Sequence, residues 1–474
     1  MRLRLFFLIL ILFTGCRSNS EYTIISGGFR FSADLKLSPA EKRADSVLNA
    51  RRKELLTRKG DNWSLFRSFT STKAELQKED LYAIFKKMPK GGLVHVHATA
   101  AGDVDWLISF ALSMPECFVY WSEENASYTP GQLAFFPDGN IPPGWLPIQE
   151  LAHSDPDLKT KLFRLYTLGP EDENLPDLWI EFEKIFKRVG AFIYYKPVFI
   201  SYFKNSLESL ASEGIQFVEL RTSLGKILNE DGTTTTDEAV IELYKSVVTV
   251  VRASHPFFDL RIIANAGRGG TLEAVGDQVQ RINRFKLQYP EMIVGFDLVG
   301  EEAKGYSNGY FSPALLNSQA PLFLHGGESI SASNHNIGDA VNLNAPRIGH
   351  GINLFFFPDL EKTLIANKTL LELCPISNQE LQYVPDFRLH PALGYLQRGV
   401  QATLGSDDPA FFQSLGLTDD YFVAYLSWNL DLRSIKKLVL NSITYGGQSY
   451  PAQQVHLDLF NKRWEEFIQC VNMQ

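Results

Sequence analysis

Short apolar runs, each closed by a polar residue or glycine, recur through most of this chain, with amphipathic stretches between them. The runs lie at 92–97, 215–221, 259–265, 293–299, 321–325, 347–350, 369–374 and 400–404. Their length and continuous apolarity predict strands buried on both faces. Helical spacing follows them at 98–111, 236–254, 272–289, 313–317, 337–343, 359–367 and 391–398, and from 421 to the C-terminus. Strand–helix alternation repeated eight times predicts an α/β chain folded as a (β/α)8 barrel.

Three stretches depart from this rhythm. Residues 38–87 read as charged helices, with a break at 59–63; Ser38-Pro39-Ala40-Glu41 has the form of a helix start. Residues 115–176 are rich in Pro, Gly, Asn, Asp and aromatics, and read as a structured insertion after the first strand. An amphipathic helix at 177–189 then carries Trp179, Phe182 and Phe186, a stripe expected to pack in the core. The chain ahead of the helices begins with Arg2 and Arg4, an apolar run from Leu5 to Phe13, and Thr14-Gly15-Cys16. That pattern is an export signal, too short to span a bilayer stably. Its end resembles a bacterial lipobox, with Phe13 where leucine is usual, which predicts lipidation of Cys16; secretion after nearby cleavage is the alternative. The expected organisation is a signal at 1–15, a tether and helical segment at 16–87, and the barrel at 88–474, in a protein exported and held to a bacterial envelope membrane.

Composition adds exclusions. The 474 residues are 45% hydrophobic and 21% charged, an ordinary globular balance, and the net charge of −8 comes with no basic run after the N-terminus. Nucleic acid is therefore not the expected partner. The four cysteines include no CxxC pair, so a cysteine zinc site is not expected either.

The chemistry collects at strand ends. His95 and His97 close the first strand two residues apart, so both side chains take one face. Glu219 and Asp297 lie near the ends of the second and fourth strands, and Gly300 follows the latter. His325 closes the fifth and Glu328 follows across two glycines; His350 closes the sixth; Asp407 and Asp408 follow the eighth. Four of the nine histidines thus fall on strand ends, the face where barrel enzymes place their chemistry. His95, His97, His325 and one of the two aspartates make a three-nitrogen, one-oxygen set that suits Zn²⁺ with an open position for water. Zinc acidifies such a water. Glu328 can carry its proton, His350 can orient the nucleophile or stabilise developing charge, and the second aspartate can hold a substrate nitrogen or cap the helix that Pro409 begins.

Taken together, Met88-Pro89-Lys90-Gly91-Gly92-Leu93-Val94-His95-Val96-His97, Gly295-Phe296-Asp297-Leu298-Val299-Gly300, His325-Gly326-Gly327-Glu328, Arg347-Ile348-Gly349-His350-Gly351, Cys374-Pro375-Ile376-Ser377-Asn378 and Ser406-Asp407-Asp408-Pro409 resemble the adenosine deaminase family of metal-dependent aminohydrolases. Within it, Asp105-Trp106-Leu107, Phe217-Val218-Glu219-Leu220-Arg221 and the long insertion resemble the secreted branch, the adenosine deaminase-related growth factors. The resemblance covers about residues 80–450. It implies His95, His97, His325 and Asp407 as zinc ligands, Glu328 as proton shuttle, His350 acting on the attacking water, and Asp408 with the backbone of Gly300 on purine ring nitrogens. The implied reaction converts adenosine, and 2′-deoxyadenosine, to inosine-type product and ammonia. The chain departs from the family on the sugar side: Ala98-Thr99-Ala100 follows the HxH where an acid is usual, and Ala264-Asn265-Ala266-Gly267 follows strand three where polar residues are usual. Glu219 is a candidate for the missing ribose contact, or equally a salt-bridge partner inside the barrel. Two rivals remain: the same zinc chemistry on another aminopurine or a modified adenosine, and a surface binding or signalling protein with a dead site, against which the complete ligand set argues.

Overall fold

The computed structural model describes residues 29–414 and 416–473. Among these residues the eight expected runs are eight parallel strands: β1 (Gly91–His97), β2 (Ile215–Thr222), β3 (Asp259–Gly267), β4 (Ile293–Val299), β5 (Phe323–Gly326), β6 (Arg347–His350), β7 (Leu370–Leu373) and β8 (Gln401–Leu404). They pair in sequence order as two four-stranded halves, β1–β4 and β5–β8. Parallel bridges from Phe296 to Leu322 and from Val96 to Asp407 join the halves, so the sheet closes into the expected (β/α)8 barrel. Closure leaves no free edge and fills the interior with side chains.

The closing seam carries function-bearing residues. The amide of His97 donates to the Asp407 carbonyl (3.0 Å), and the amides of Ser406 and Asp407 both donate to the His95 carbonyl (3.1 and 3.0 Å). The register of the last strand against the first thus sets Asp407 beside both histidines.

Outside the barrel, helix α1 (Pro39–Lys59) starts as expected: Ser38 Oγ accepts from the Glu41 amide, and the Ser38 amide donates to Glu41 Oε2. This reciprocal cap satisfies two orphan donors of the first turn. Glu41 also accepts from Trp464 on α3 (Tyr450–Asn472), and Arg52 donates to the carbonyls of Tyr425 and Leu430, so α1 is bound to the C-terminal helices. The insertion folds as a three-stranded antiparallel sheet (118–120, 133–134 and 145–147) followed by two helices. It leads into helix α2 (Leu178–Ile193), which lies over the C-terminal mouth of the barrel. No helix of the described residues is long and apolar enough to cross a membrane; Cys16 and the expected signal lie outside the described residues.

Candidate active site and metal centre

The C-terminal strand ends bring the separated polar residues together. Ligand-capable atoms of His95, His325, His350 and Asp407 lie within 4.8 Å of one another, and so do those of His97, Asp407 and Asp408. Asp407 belongs to both groups: its Oδ1 is 3.3 Å from His95 Nε2 and 3.1 Å from His97 Nε2. The His95 ring centroid is 4.7 Å from that of His325 and 5.0 Å from that of His350, while His97 is 5.4 Å from His325. Asp407 and His350, neither a glycine, have φ of +58° and +63°. Left-handed backbone at such residues costs about 1–3 kcal/mol and persists only where its surroundings enforce it.

Two of the ring nitrogens have acidic partners that define their state. His95 Nδ1 lies 2.7 Å from Glu372 Oε2, and His325 Nδ1 lies 2.7 Å from Asp297 Oδ2. The Arg221 guanidinium donates to both carboxylates, to Asp297 Oδ2 at 2.8 Å and to Glu372 Oε2 at 2.6 Å. Against the cost of burial, these cationic neighbours hold both acids below the usual carboxylate range. As acceptors they require N–H at Nδ1 and turn the Nε2 lone pairs toward Asp407. The buried Nε2 atoms of His95 and His350 have no hydrogen-bond partner among the described residues. Inward-facing imidazole nitrogens with one ionised carboxylate are the donor set of a divalent metal such as zinc, and carboxylate-backed histidines are its usual support. Burial pushes His325 down to about 4 and His350 well below its ordinary value, and lowers His97, whereas His95 is raised because its Asp407 and Glu372 partners outweigh burial. Ser377 Oγ donates to Asp407 Oδ2 at 2.7 Å, and Asn378 Nδ2 sits 3.1 Å from His350 Nδ1.

Glu328 stands over this cluster, 3.6 Å from His350 Nε2. Gly327 makes the turn with φ +79°, and a Cβ there would lie 2.1 Å from Asn353 Oδ1. The amides of Gly327 and Glu328 both donate to Glu302 Oε2, which fixes the turn from below. Burial first, and the facing Asp407 carboxylate second, raise the Glu328 carboxyl well above its usual range. Asp408 is raised for the same two reasons, and its buried Oδ1 has no hydrogen-bond partner among the described residues.

These groups floor a cavity of about 870 Å³, whose lining includes His97, His325, Glu328, Asp407, Asp408 and Gly300. Its outer wall is the Trp179, Phe182, Phe186 face of α2, so the stripe expected to be core packing is both core and pocket wall. Phe182 stacks on Phe412 with centroids 5.6 Å apart, while Trp179 Nε1 donates to the Tyr383 hydroxyl at 2.6 Å. Lys304 bonds Asp177 at 2.5 Å, at the start of this wall.

Glu219 is placed elsewhere. It is fully buried one layer below Arg221, accepts from Arg347 Nη1 and the Gly447 amide (both 2.5 Å), and does not line the cavity. Of its two sequence readings, the ion-pair partner is the one observed and the ribose contact is not. The support residues Arg221, Glu372 and Glu302 had no role in the sequence reading. The one visible signal for Glu372 is a carboxylate in an otherwise apolar strand, Leu370-Leu371-Glu372-Leu373.

A family model for adenosine deaminase matches residues 175–459. The chain is 30% identical over 452 residues to adenosine deaminase 2 of Dictyostelium discoideum, an alignment covering 92% of this chain and 83% of that protein. Among solved structures, the N6-methyl-AMP deaminase of Arabidopsis thaliana superposes with a TM-score of 0.61 at 17% identity, covering 81% of this chain and 99% of that one. An amidohydrolase of Burkholderia ambifaria with bound Zn gives 0.59 at 13% identity, covering 83% and 95%. These two likenesses are of fold.

Proposed function

From the premise that this chain belongs to the adenosine deaminase family and is a deaminase, we propose that it hydrolyses adenosine, and 2′-deoxyadenosine, to the inosine product and ammonia. The supporting observation is that His95, His325 and His350 cluster on Asp407, with His97 also against Asp407, at a pocket lined by His97, His325, Asp407 and a Glu328 carboxyl raised above its usual range. In this reading the four inward ligands hold Zn²⁺, which supplies an acidified water at the strand ends. Glu328 gives its proton to the ring nitrogen beside C6 as the C–O bond forms; the carboxylate left behind takes the proton of the new C6 hydroxyl and passes it to the amine, which leaves as ammonia as the C6 carbonyl forms, and a proton of the next water restores the acid. His350 is neutral and faces Glu328, where it orients the nucleophile and steadies charge on the tetrahedral centre. Asp408, whose carboxyl is raised well above its usual range, holds one ring nitrogen of the purine, and the Gly300 amide, at a residue with φ +105°, donates to another.

The mouth of the pocket carries Asp177, Glu183 and Glu301 against Lys304 and the buried Arg268. Lys304 is engaged by Asp177 and Glu301. That acidic rim disfavours a phosphorylated substrate and supports a nucleoside. A second substrate reading, another aminopurine or a modified adenosine, is supported by the sugar side: Gly267 and Gly269 line it, and Ala98 follows the HxH. Ammonia release from adenosine, deoxyadenosine and adenine, measured with zinc content, tests both. Turnover of adenine as fast as of adenosine favours the second reading. A zinc-loaded protein that releases no ammonia from any of the three overturns the function.

The N-terminal pattern ending in Cys16 supports export and lipid anchoring of the mature chain at a bacterial envelope membrane. Cys16→Ser should block processing or move the protein out of the membrane fraction; an unchanged membrane fraction counts against the anchor.

A further inference from the structure

Beneath the metal-binding floor, one side chain touches both acids that back the histidines. Arg221 is fully buried on β2. Its Nε donates to Asp297 Oδ2, the same oxygen that lies 2.7 Å from His325 Nδ1. Its Nη2 donates to Glu372 Oε2, the same oxygen that lies 2.7 Å from His95 Nδ1. Its Nη1 donates to the carbonyl of Val94 at 2.8 Å, next to His95 on β1. A planar guanidinium offers these donors in a fixed fork, which an ammonium cannot reproduce.

The geometry points to Arg221 as a positioning residue that sets the tautomer and aim of two metal-ligand histidines at once. A carboxylate bonded to a guanidinium acts only as an acceptor, so each facing Nδ1 must donate and each Nε2 must offer its lone pair to the metal. Because one rigid group fixes both oxygens, the distance between the two carboxylates is fixed too, and with it the separation of His95 and His325.

The two carboxylates are not held equally. Glu372 has a second anchor, Arg347 Nε on Oε1 at 2.6 Å. Among the described residues, Asp297 Oδ1 accepts only from backbone amides, those of Leu298 (2.7 Å) and His325 (2.9 Å). Loss of the fork therefore loosens His325 more than His95. Arg347 is an internal control. It is equally buried and ion-paired, to Glu219 and Glu372, and also donates to the Val94 carbonyl, but it does not touch Asp297.

The inference rests on the metal reading of the site, and the test keeps the two apart. Arg221→Lys and Arg347→Lys are compared with the parent for zinc release to a chelator and for thermal midpoint. Loss of a residue behind a metal ligand typically costs about 10–100-fold in metal affinity. Arg221→Lys should release zinc about 10-fold faster or more, and Arg347→Lys no more than about 3-fold faster, even where their midpoints fall alike. Equal release from both variants, or release from Arg221→Lys at the parental rate, overturns the inference. A parent that binds no zinc overturns the metal reading instead. Should Arg221→Lys not fold, Asp297→Asn, Glu372→Gln and their double mutant measure the same coupling. Linked through Arg221, the double mutant should release zinc several-fold more slowly than the product of the single effects predicts; a simple product shows that the two carboxylates act independently.

Discussion

The floor and the outer wall of the pocket are built on opposite principles. On the floor, His95, His325 and Asp407 stand on strand ends whose register is fixed by barrel closure, and acids and an arginine behind them hold the atoms in place. The wall is one helix, α2, that follows an insertion and is tied over the mouth by Asp177–Lys304 and Trp179–Tyr383. Ile180 on this helix is 54% exposed, whereas His95 and His350 are 0% exposed. Over-determined geometry suits bond making, where a small displacement of a reacting atom is costly. A wall that is one helix, packed in the core along one face and open to solvent on the other, suits choice among substrates.

Substitutions that separate the two regions should differ in kind as well as size. The largest loss is expected at the floor: His97→Ala should lose its zinc and turnover together, and full metal occupancy in that variant would remove His97 from the ligand set. Glu328→Gln comes next. It keeps size and hydrogen bonding but carries no exchangeable proton, so zinc content and ground-state purine binding should hold while kcat falls by ~10²–10⁴-fold. A near-normal kcat would exclude Glu328 as the acid, and loss of zinc would make it a ligand.

On the wall, Trp179→Phe keeps a ring but removes the hydrogen bond to Tyr383. A net hydrogen bond is worth about 0.5–1.5 kcal/mol, so KM should rise roughly 2–10-fold with kcat and zinc unchanged. A matching fall in kcat alone would show that floor and wall are not separable.

The smallest effect on turnover, from a site that touches neither region, is expected at the opposite end of the barrel. Burial pushes His456, packed on Phe217, down to about 4. Between the ordinary 6.5 and about 4 the unfolded chain takes up a proton that the folded one refuses. Folding stability should therefore fall as pH drops through that window, by at most ~3 kcal/mol from this group. His456→Gln should flatten that slope in urea unfolding at constant kcat; an unchanged slope would show that His456 does not carry the acid sensitivity.

The eight strands were legible because burial on both faces leaves a continuous apolar run, and the histidines and Glu328 were legible because they interrupt or end those runs. Glu219 shows the limit. On a strand it alternates with the same parity as Arg221, and nothing local says which layer of the barrel it enters. Its partner Arg347 is 128 residues away. The α2 stripe shows another limit: helical spacing says that Trp179, Phe182 and Phe186 share a face, but not whether core or cavity lies opposite.

The sequence by itself therefore determined the element order, the barrel, and which residue types reach the catalytic rim, because periodicity and strand ends are local properties. Only the tertiary structure decided the rest: that Arg221 bridges acids 76 and 151 residues away, that Asp407 sits between two histidines, and that an inserted helix walls the pocket. Those facts depend on ring closure, which brings together residues far apart in the chain, and on the mutual exclusion of water by groups that meet only once the barrel is shut.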